Sequence, residues 1–288
     1  MKSRKNRAIA ILSAIIVVAF VAYFIFHNSV TIIEAETPPI VPNKEQPLYL
    51  SIYLDLSDRI KPDGSSTLSQ QEKDIAIVEY LANFIKDRAV KQHILPCKDK
   101  IKVFFYPAPS NARVALLAEQ LELDLSTTPV KEKKAKLIKF VNEFKTSMEQ
   151  IYTSTIKTSN WQGSDIWGFF NKPIDNYCIK DRYRNVLVIL TDGYIYHAQN
   201  KQSQGSAHTF ILPQTLKDTQ SSLIIKRSEP LKDLEVLMLE LNPNPPTDQA
   251  KMEQVITDWL KGMGIKKCNV FETDIPSNTK MIIDNFLN

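Results

Sequence analysis

Glycine is scarce in this sequence, and the glycine-dependent motifs of several enzyme classes are missing with it. Only 7 of the 288 residues are glycine. Neither a G-x-x-x-x-G-K-[ST] phosphate-binding loop nor a G-x-G-x-x-G turn occurs, so we expect no nucleotide to bind by those routes. The G-x-S-x-G turn that carries the nucleophile of many serine hydrolases is missing as well. Nucleotide-dependent chemistry and serine-hydrolase chemistry are therefore not expected.

Histidine and net charge are also low. No two of the four histidines have the spacing of a zinc site on a helix. They are His27, His93, His197 and His208. The formal net charge is +4, which is too small to indicate a nucleic-acid surface. A lysine-rich stretch at residues 131–139 is expected to be a solvated helix face. We therefore predict no nucleic-acid partner.

One long apolar run lies near the N-terminus. Residues 8–26 contain neither charge nor proline over 19 positions, and at about 1.5 Å per residue they approach the roughly 30 Å hydrocarbon core of a bilayer. A cleaved signal peptide would have an apolar run of only about 7–15 residues, followed by a small-x-small site that is missing here. We predict an uncleaved transmembrane helix at residues 8–26, with a cleaved signal as the alternative.

Charges on either side of this run predict its orientation. The tail at residues 1–7 carries four basic residues, whereas Glu34 and Glu36 follow the run. The positive-inside rule then places residues 1–7 in the cytoplasm and the rest of the chain in the periplasm or outside the cell. The proline-rich residues 27–47 are expected to be a linker. The chain is thus predicted to be a single-pass membrane protein with its main domain at residues 48–288.

Apolar runs alternate with amphipathic segments along that domain. Strands are predicted at residues 48–56, 101–106, 185–192, 234–241 and 269–273, with a short edge strand at 121–126. Helices are predicted at residues 70–89, 131–152, 248–261 and 277–287. This alternation predicts an α/β domain with a doubly wound, mostly parallel Rossmann-like sheet. Residues 194–230 have mixed periodicity, and a lid, a docking surface and an insertion all remain open for them.

Small oxygen-bearing side chains follow two of the predicted strands. The first strand is followed by Asp55, Ser57 and Asp58 and then by Arg59. The third strand ends in Thr191-Asp192-Gly193, and Ser164-Asp165 precedes a short helical run. Ligands of doubly wound sheets bind at the carboxyl ends of the strands, where the strand order reverses. We therefore expect these three clusters to lie at one edge of the sheet.

In type and order, these clusters resemble the motifs of the von Willebrand factor type A (VWA) family. In that family a strand ending in D-x-S-x-S, a loop threonine and a strand ending in x-D-G form the metal-ion-dependent adhesion site, MIDAS. The resemblance implies that Asp55, Ser57 and Asp192 are metal ligands, with Ser164 in place of the threonine. It also implies a Mg²⁺ ion, since hard cations prefer oxygen ligands, and a protein partner whose acidic side chain completes the coordination.

The chain departs from the family at Arg59, where the first motif should have its second serine. An arginine side chain has no acceptor atom and cannot bind a cation. Two outcomes are open: Arg59 turns away and leaves the other ligands to Mg²⁺, or its guanidinium pairs with Asp55 or Asp192 instead of a metal. Further candidates for replacing the metal or contacting a partner are Asp58, Asp165 and Thr191.

Three classes of function are consistent with these residues. The first is a membrane-anchored, extracytoplasmic module that binds a protein partner through the metal. The second is the same fold as a metal-independent scaffold of a membrane complex. The third is a phosphatase-like hydrolase using Asp55, although Ser57 stands where such enzymes have a second carboxylate. Each side chain taken alone is also compatible with simply capping the segment that follows it.

The three cysteines, Cys97, Cys178 and Cys268, each lie near the start of a predicted parallel strand. They are therefore expected at the amino-terminal edge of the sheet, opposite the proposed site. Disulfides are permitted outside the cytoplasm. We predict a Cys97–Cys178 bridge, because both residues lie in loops, with Cys268 free or paired between chains.

Overall fold

The computed structural model describes residues 46–56, 69–108, 111–157, 164–193, 225–242, 249–272 and 274–288. These residues all belong to the compact unit Gln46–Asn288. Within them, no helix combines the length and the apolar character needed to cross a membrane. The predicted tail at 1–7, the predicted span at 8–26 and nearly all of the predicted linker lie outside the described residues, as do Ser57, Asp58 and Arg59.

A mixed, mostly parallel β-sheet organises the described residues. Its strands are β1 (Leu48–Leu54), β2 (Lys100–Phe104), β3 (Glu122–Asp124), β4 (Arg184–Leu190), β5 (Leu234–Leu241) and β6 (Lys267–Glu272). The strand order is β3-β2-β1-β4-β5-β6. Only β3, at the edge, pairs antiparallel. The central strands are apolar along nearly their whole length because both of their faces are covered.

Helices cover both faces of the sheet. They are α1 (Gln70–Lys91), α2 (Ala112–Gln120), α3 (Lys133–Lys157), α4 (Ile166–Asn171), α5 (Ile174–Cys178), α6 (Gln249–Gly262) and α7 (Pro276–Leu287), with a 3₁₀ turn at Val130–Glu132 before α3. One apolar core lies between the sheet and α1, α2, α3 and α7. A second core lies on the other face, under α4, α5 and α6. The predicted α/β class with a mostly parallel sheet is confirmed.

The predicted strands and helices are all present among the described residues, with bounds that differ by a few residues. Helices α2 and α5 were not predicted, although Asn111 caps the first turn of α2 by accepting a hydrogen bond from the Arg113 amide at 2.9 Å. The predicted edge strand at 121–126 is shorter than expected and forms β3, which pairs with β2. Periodicity thus identified the elements, whereas their ends depend on local hydrogen bonds.

The predicted Cys97–Cys178 disulfide is not formed, because all three cysteines are free thiols. Cys97 is buried in the core under α1 and α3, whereas Cys178 is buried in the core under α4, α5 and α6. The sheet therefore separates the two sulfur atoms. Burial raises the pKa of the Cys97 thiol to about 11 and places the pKa of Cys178 far above its ordinary value, which keeps both thiols protonated and unreactive.

An ion-pair cluster fixes the C-terminal helix to the amino-terminal edge of the sheet. Arg184 donates from Nε and Nη2 to the two carboxylate oxygens of Glu235, at 2.9 and 2.8 Å. It also donates to the main-chain carbonyl groups of Phe286, at 3.0 Å, and Leu287. Lys267 Nζ lies 2.8 Å from Glu235 as well. Burial by itself would raise the pKa of Glu235, but Arg184 and Lys267 outweigh it and lower that pKa.

The stability of the domain should fall in acid partly through Glu235. Because its pKa is lowered in the folded state, its contribution is fully present above the ordinary glutamate pKa of about 4.3 and is lost as the pH falls through the folded value. We expect Glu235→Gln to cost about 1–2 kcal/mol at neutral pH and to flatten the pH dependence of urea unfolding below about pH 5. Glu143→Gln, which alters an exposed pair with Lys139 at 3.9 Å, should leave both quantities unchanged. If the free energy of unfolding fell equally steeply with pH in Glu235→Gln and wild type, this role of Glu235 would be contradicted.

Candidate functional site at the carboxyl edge of the sheet

The strand order reverses between β1 and β4, and three of the predicted site residues lie at that reversal. From β1 the chain continues to β2 on one side, and from β4 it continues to β5 on the other. The two strands pair in parallel, with Leu54 opposite Leu190. The pairing extends one residue further, because the Asp55 amide donates to the Leu190 carbonyl at 3.0 Å. Asp55 and Thr191-Asp192 therefore emerge side by side, where doubly wound sheets bind ligands.

Asp55 is buried and is held by Thr191. The Thr191 hydroxyl donates to Asp55 Oδ2 at 2.8 Å and accepts from the Gly193 amide at 3.1 Å. Thr191 itself is fully buried. This short chain of hydrogen bonds orients the Asp55 carboxylate and shapes the turn that follows β4.

The turn after β4 requires glycine at its third residue. Gly193 has φ +98°, and an added Cβ atom would overlap Met252 Sδ and come within 3.2 Å of Leu241. Asp192 is only half-buried, and its carbonyl oxygen accepts from the Asn242 amide at 3.0 Å. The D-G pair thus holds the start of the loop against the end of β5.

Hydrogen bonds to Tyr53 and Tyr106 connect Ser164 and Asp165 to the same region. Its hydroxyl is hydrogen-bonded to the Tyr53 hydroxyl, and Tyr53 lies two residues before Asp55 on β1. The Tyr53 hydroxyl also donates to the Tyr106 carbonyl at 2.8 Å. The Asp165 amide donates to that same carbonyl at 3.0 Å. The start of α4 is therefore fixed to the ends of both β1 and β2.

The protonation of Tyr53 determines how the Ser164 hydroxyl points. Burial, followed by the negative charges of Asp55 and Asp165, raises the pKa of Tyr53 well above its ordinary value. Tyr53 therefore stays protonated, and its hydroxyl donates to the Tyr106 carbonyl. Ser164 then donates to the Tyr53 oxygen, which leaves the lone pairs of Ser164 able to accept from a donor or to bind a cation.

Asp165, rather than Ser164, caps α4. Asp165 Oδ1 accepts from the Gly168 amide at 2.7 Å. A side chain at position 168 would collide with this carboxylate. Capping of α4 therefore engages Asp165 and leaves the Ser164 hydroxyl for the site.

A second polar network lies at the carboxyl edge, and sequence reasoning missed it. Gln70, the first residue of α1, donates from Nε2 to Asp74 at 3.2 Å and to Glu240 at 3.0 Å. The Tyr152 hydroxyl donates to the other oxygen of Asp74 at 2.7 Å. Both carboxylates are buried. Asp74 lies four residues before Val78, on the apolar stripe of α1, and an acidic residue in such a stripe is the signal that could have revealed it.

The described part of the site fits a hard cation in chemistry but holds few charges. Carboxylate and hydroxyl oxygens from Asp55, Ser164, Thr191 and Asp192 are the ligand type that Mg²⁺ prefers. Among the residues that the structure describes, no three His, Cys, Asp or Glu side chains converge to hold a metal ion. Hydroxyl groups and water would therefore have to complete the coordination. Ser57 would be one such ligand, and it lies outside the described ranges together with Asp58 and Arg59.

Comparisons with known proteins identify distant structural similarity only. The sequence matches no protein-family model and no curated protein. One similar solved structure is an aerotolerance-related membrane protein from Bacteroides fragilis, with TM-score 0.40, 13% identity, and coverage of 84% of this chain and 98% of that one. Another is the pilus adhesin SpaC from Lactobacillus rhamnosus GG, with TM-score 0.40, 10% identity, and coverage of 83% of this chain and 30% of that one. Neither similarity bears on function.

Proposed function

We propose that this chain is a membrane-anchored, extracytoplasmic VWA-like module that binds a protein partner at the carboxyl edge between β1 and β4. In this proposal a magnesium ion is held by Asp55, Ser57, Ser164 and Asp192, and an acidic side chain of the partner completes its coordination. The anchor is the apolar run at residues 8–26. Catalytic activity is not part of the proposal.

One observation carries the proposal: the reversal in strand order brings Asp55 beside Thr191-Asp192. This arrangement is supported by the Asp55 amide on the Leu190 carbonyl at 3.0 Å and by the Thr191 hydroxyl on Asp55 at 2.8 Å. Ser164 joins the group through Tyr53. Three segments that are distant in sequence thus contribute oxygen atoms to the edge where ligands of this sheet type bind.

Calorimetric titration of the purified full chain with MgCl₂ and with MnCl₂ tests the metal. We expect sub-millimolar binding of one ion, and a loss of at least tenfold in affinity, or about 1.4 kcal/mol, in Asp55→Asn and in Asp192→Asn. Asp181→Asn is the matched control, because Asp181 is 94% exposed in the turn before β4, at the opposite edge. Circular dichroism should show that all three variants are folded. The proposed metal site would be refuted by a wild-type chain that binds no ion, or by an Asp55→Asn variant that binds the ion as tightly as wild type.

A metal-independent scaffold is the second candidate, and Thr191 favours it. Its hydroxyl already stabilises the buried Asp55 carboxylate, so a cation is not required for that purpose. Under this candidate, a partner captured by the full chain would bind equally well with and without EDTA. Under the first candidate, EDTA would release the partner and Mg²⁺ would restore binding.

A further inference from the structure

The described chain begins at the amino-terminal edge of the sheet, opposite the candidate site. Arg88, in the last turn of α1, donates to the Gln46 carbonyl at 2.8 Å. Asp99 pairs with Arg88 at 2.9 Å and accepts from the Leu48 amide at 2.8 Å. The 19 residues between position 26 and Gln46 can extend over roughly 65 Å at most. This edge is therefore within reach of the bilayer that the proposed anchor would enter.

Apolar side chains are exposed at this same edge. Leu95, in the loop after α1, is 54% exposed, and Val130, in the 3₁₀ turn before α3, is 58% exposed. Lys133 connects the two segments, because its Nζ donates to the main-chain carbonyl groups of Leu95 at 2.8 Å and Cys97 at 2.6 Å. Lys133 thus holds together the two segments that carry these apolar side chains.

Exposed lysines surround these apolar residues. Lys91 ends α1, Lys98 follows Leu95, and Lys131 and Lys134 flank the start of α3, and all four are exposed. Glu132 is the acidic residue within this turn, which leaves a clear excess of positive charge. We call Leu95, Val130, Lys91, Lys98, Lys131 and Lys134 the lysine edge.

Among the described residues, several carboxylates also lie at the other end of the domain. The carboxyl edge carries Asp55, Asp74, Asp165, Asp192 and Glu240. At the amino-terminal edge, the carboxylates of Asp124 and Glu235 are neutralised by Lys100 and by Arg184 with Lys267. The exposed Asp181 lies 3.5 Å from Arg182, and the exposed Asp233 follows the exposed Lys232. An anionic surface would therefore attract the lysine edge.

We propose that the lysine edge docks on the anionic headgroups of the membrane that holds the anchor. Lysines near such a surface are attracted to it, and apolar side chains between them enter the boundary between headgroups and acyl chains. Because the anchor tethers the domain to the same membrane, a surface with only weak affinity for the headgroups is sufficient. Docking would point the Asp55 edge away from the bilayer, toward a partner. The inference rests on the proposed anchor but not on the proposed metal.

Hydrogen exchange on the full chain tests the docking. The protein is incorporated into vesicles of phosphatidylcholine alone and into vesicles of a two-to-one mixture with phosphatidylglycerol. We expect amides of residues 92–98 and 129–134 to exchange several-fold more slowly in the anionic vesicles, and amides of residues 164–171 to be unaffected. Raising the salt from about 0.1 M to about 1 M shortens the screening length from roughly 10 Å to roughly 3 Å and should remove the difference.

Paired charge reversals identify the residues responsible. Lys98→Glu combined with Lys131→Glu should abolish the slower exchange. Lys145→Glu combined with Lys280→Glu makes the same change in net charge at exposed positions away from this edge and should preserve it. Equal exchange in the two kinds of vesicle, or equal effects of the two double variants, would overturn the proposal.

Flotation of the same samples separates docking from anchoring. A chain that floats with both kinds of vesicle is anchored, and the exchange data then decide on docking. A chain that floats only with anionic vesicles binds them through charge without an anchor, which overturns the anchor and with it the tethered docking. A chain that floats with neither lacks both properties, and the proposal is then wrong.

Discussion

Replacing Asp99 with alanine is expected to lower the free energy of unfolding by about 3–5 kcal/mol. Asp99 is fully buried and accepts from the Leu48 amide at 2.8 Å and from Arg88 Nε at 2.9 Å. Without its carboxylate, a buried N–H group and a largely buried guanidinium lose their acceptor, which costs more than the intact bonds contribute. Because these bonds join β1, α1 and the start of β2, the loss should affect the whole domain. For a domain of this size the change lowers Tm by roughly 10 °C.

Asp87 provides the matched control for Asp99. It also lies near the end of α1, but its side chain is 66% exposed and its carboxylate is 3.8 Å from Lys86. Asp87→Ala should therefore stay within about 0.5 kcal/mol of wild type. Asp99→Asn, which keeps one acceptor, should lie between wild type and Asp99→Ala. Urea unfolding followed by circular dichroism measures all three, and a cost below about 1 kcal/mol for Asp99→Ala would contradict this account.

Phe169→Ala is expected to cost about 3–5 kcal/mol and to loosen the Ser164 side of the candidate site. The Phe169 ring is fully buried, and its centroid lies 5.1 Å from that of Phe104, 5.2 Å from that of Tyr53 and 5.9 Å from that of Tyr106. It packs the six-residue α4 against the ends of β1 and β2. Removing it leaves a cavity at the point where Tyr53 holds Ser164.

Two further variants separate the role of Phe169 from loss of an aromatic ring in general. Phe84→Ala removes a half-buried ring at the margin of the other core and should cost clearly less. Phe169→Leu keeps most of the apolar volume and should cost about 1–2 kcal/mol. Denaturant unfolding gives the free energies, and the calorimetric titration shows whether affinity for Mg²⁺ falls with them. Equal costs for Phe169→Ala and Phe84→Ala would contradict the position assigned to this cluster.

Local patterns predicted most of the fold because each element carries its own period. The continuous apolar run of β4 indicates a strand buried on both faces, and the stripe along α1 indicates a helix covering one face. The short helices α2 and α5 were missed, and the Cys97–Cys178 bridge was wrong. Both errors concern information that the local pattern lacks: which neighbour completes a short helix, and on which face of the sheet a loop residue is buried.

In the candidate site, too, local sequence patterns predicted some features and missed others. The small oxygen-bearing side chains of Asp55, Ser164 and Asp192 were recognisable in the sequence. The hydrogen bond between Tyr53 and Ser164 was not, because the two residues are 111 positions apart. The network of Gln70, Asp74, Glu240 and Tyr152 escaped prediction for the same reason.

By itself, the sequence determined the α/β class, the nature of the strand-end side chains and the apolar run predicted to be an anchor, because these depend on composition and on periods of a few residues. Only the tertiary structure decided the strand order, which brings Asp55 beside Thr191, and the placement of the lysine edge opposite the candidate site. Strand order depends on how helices pack on the two faces of the sheet, and that packing joins residues too distant in sequence for a local pattern to relate them.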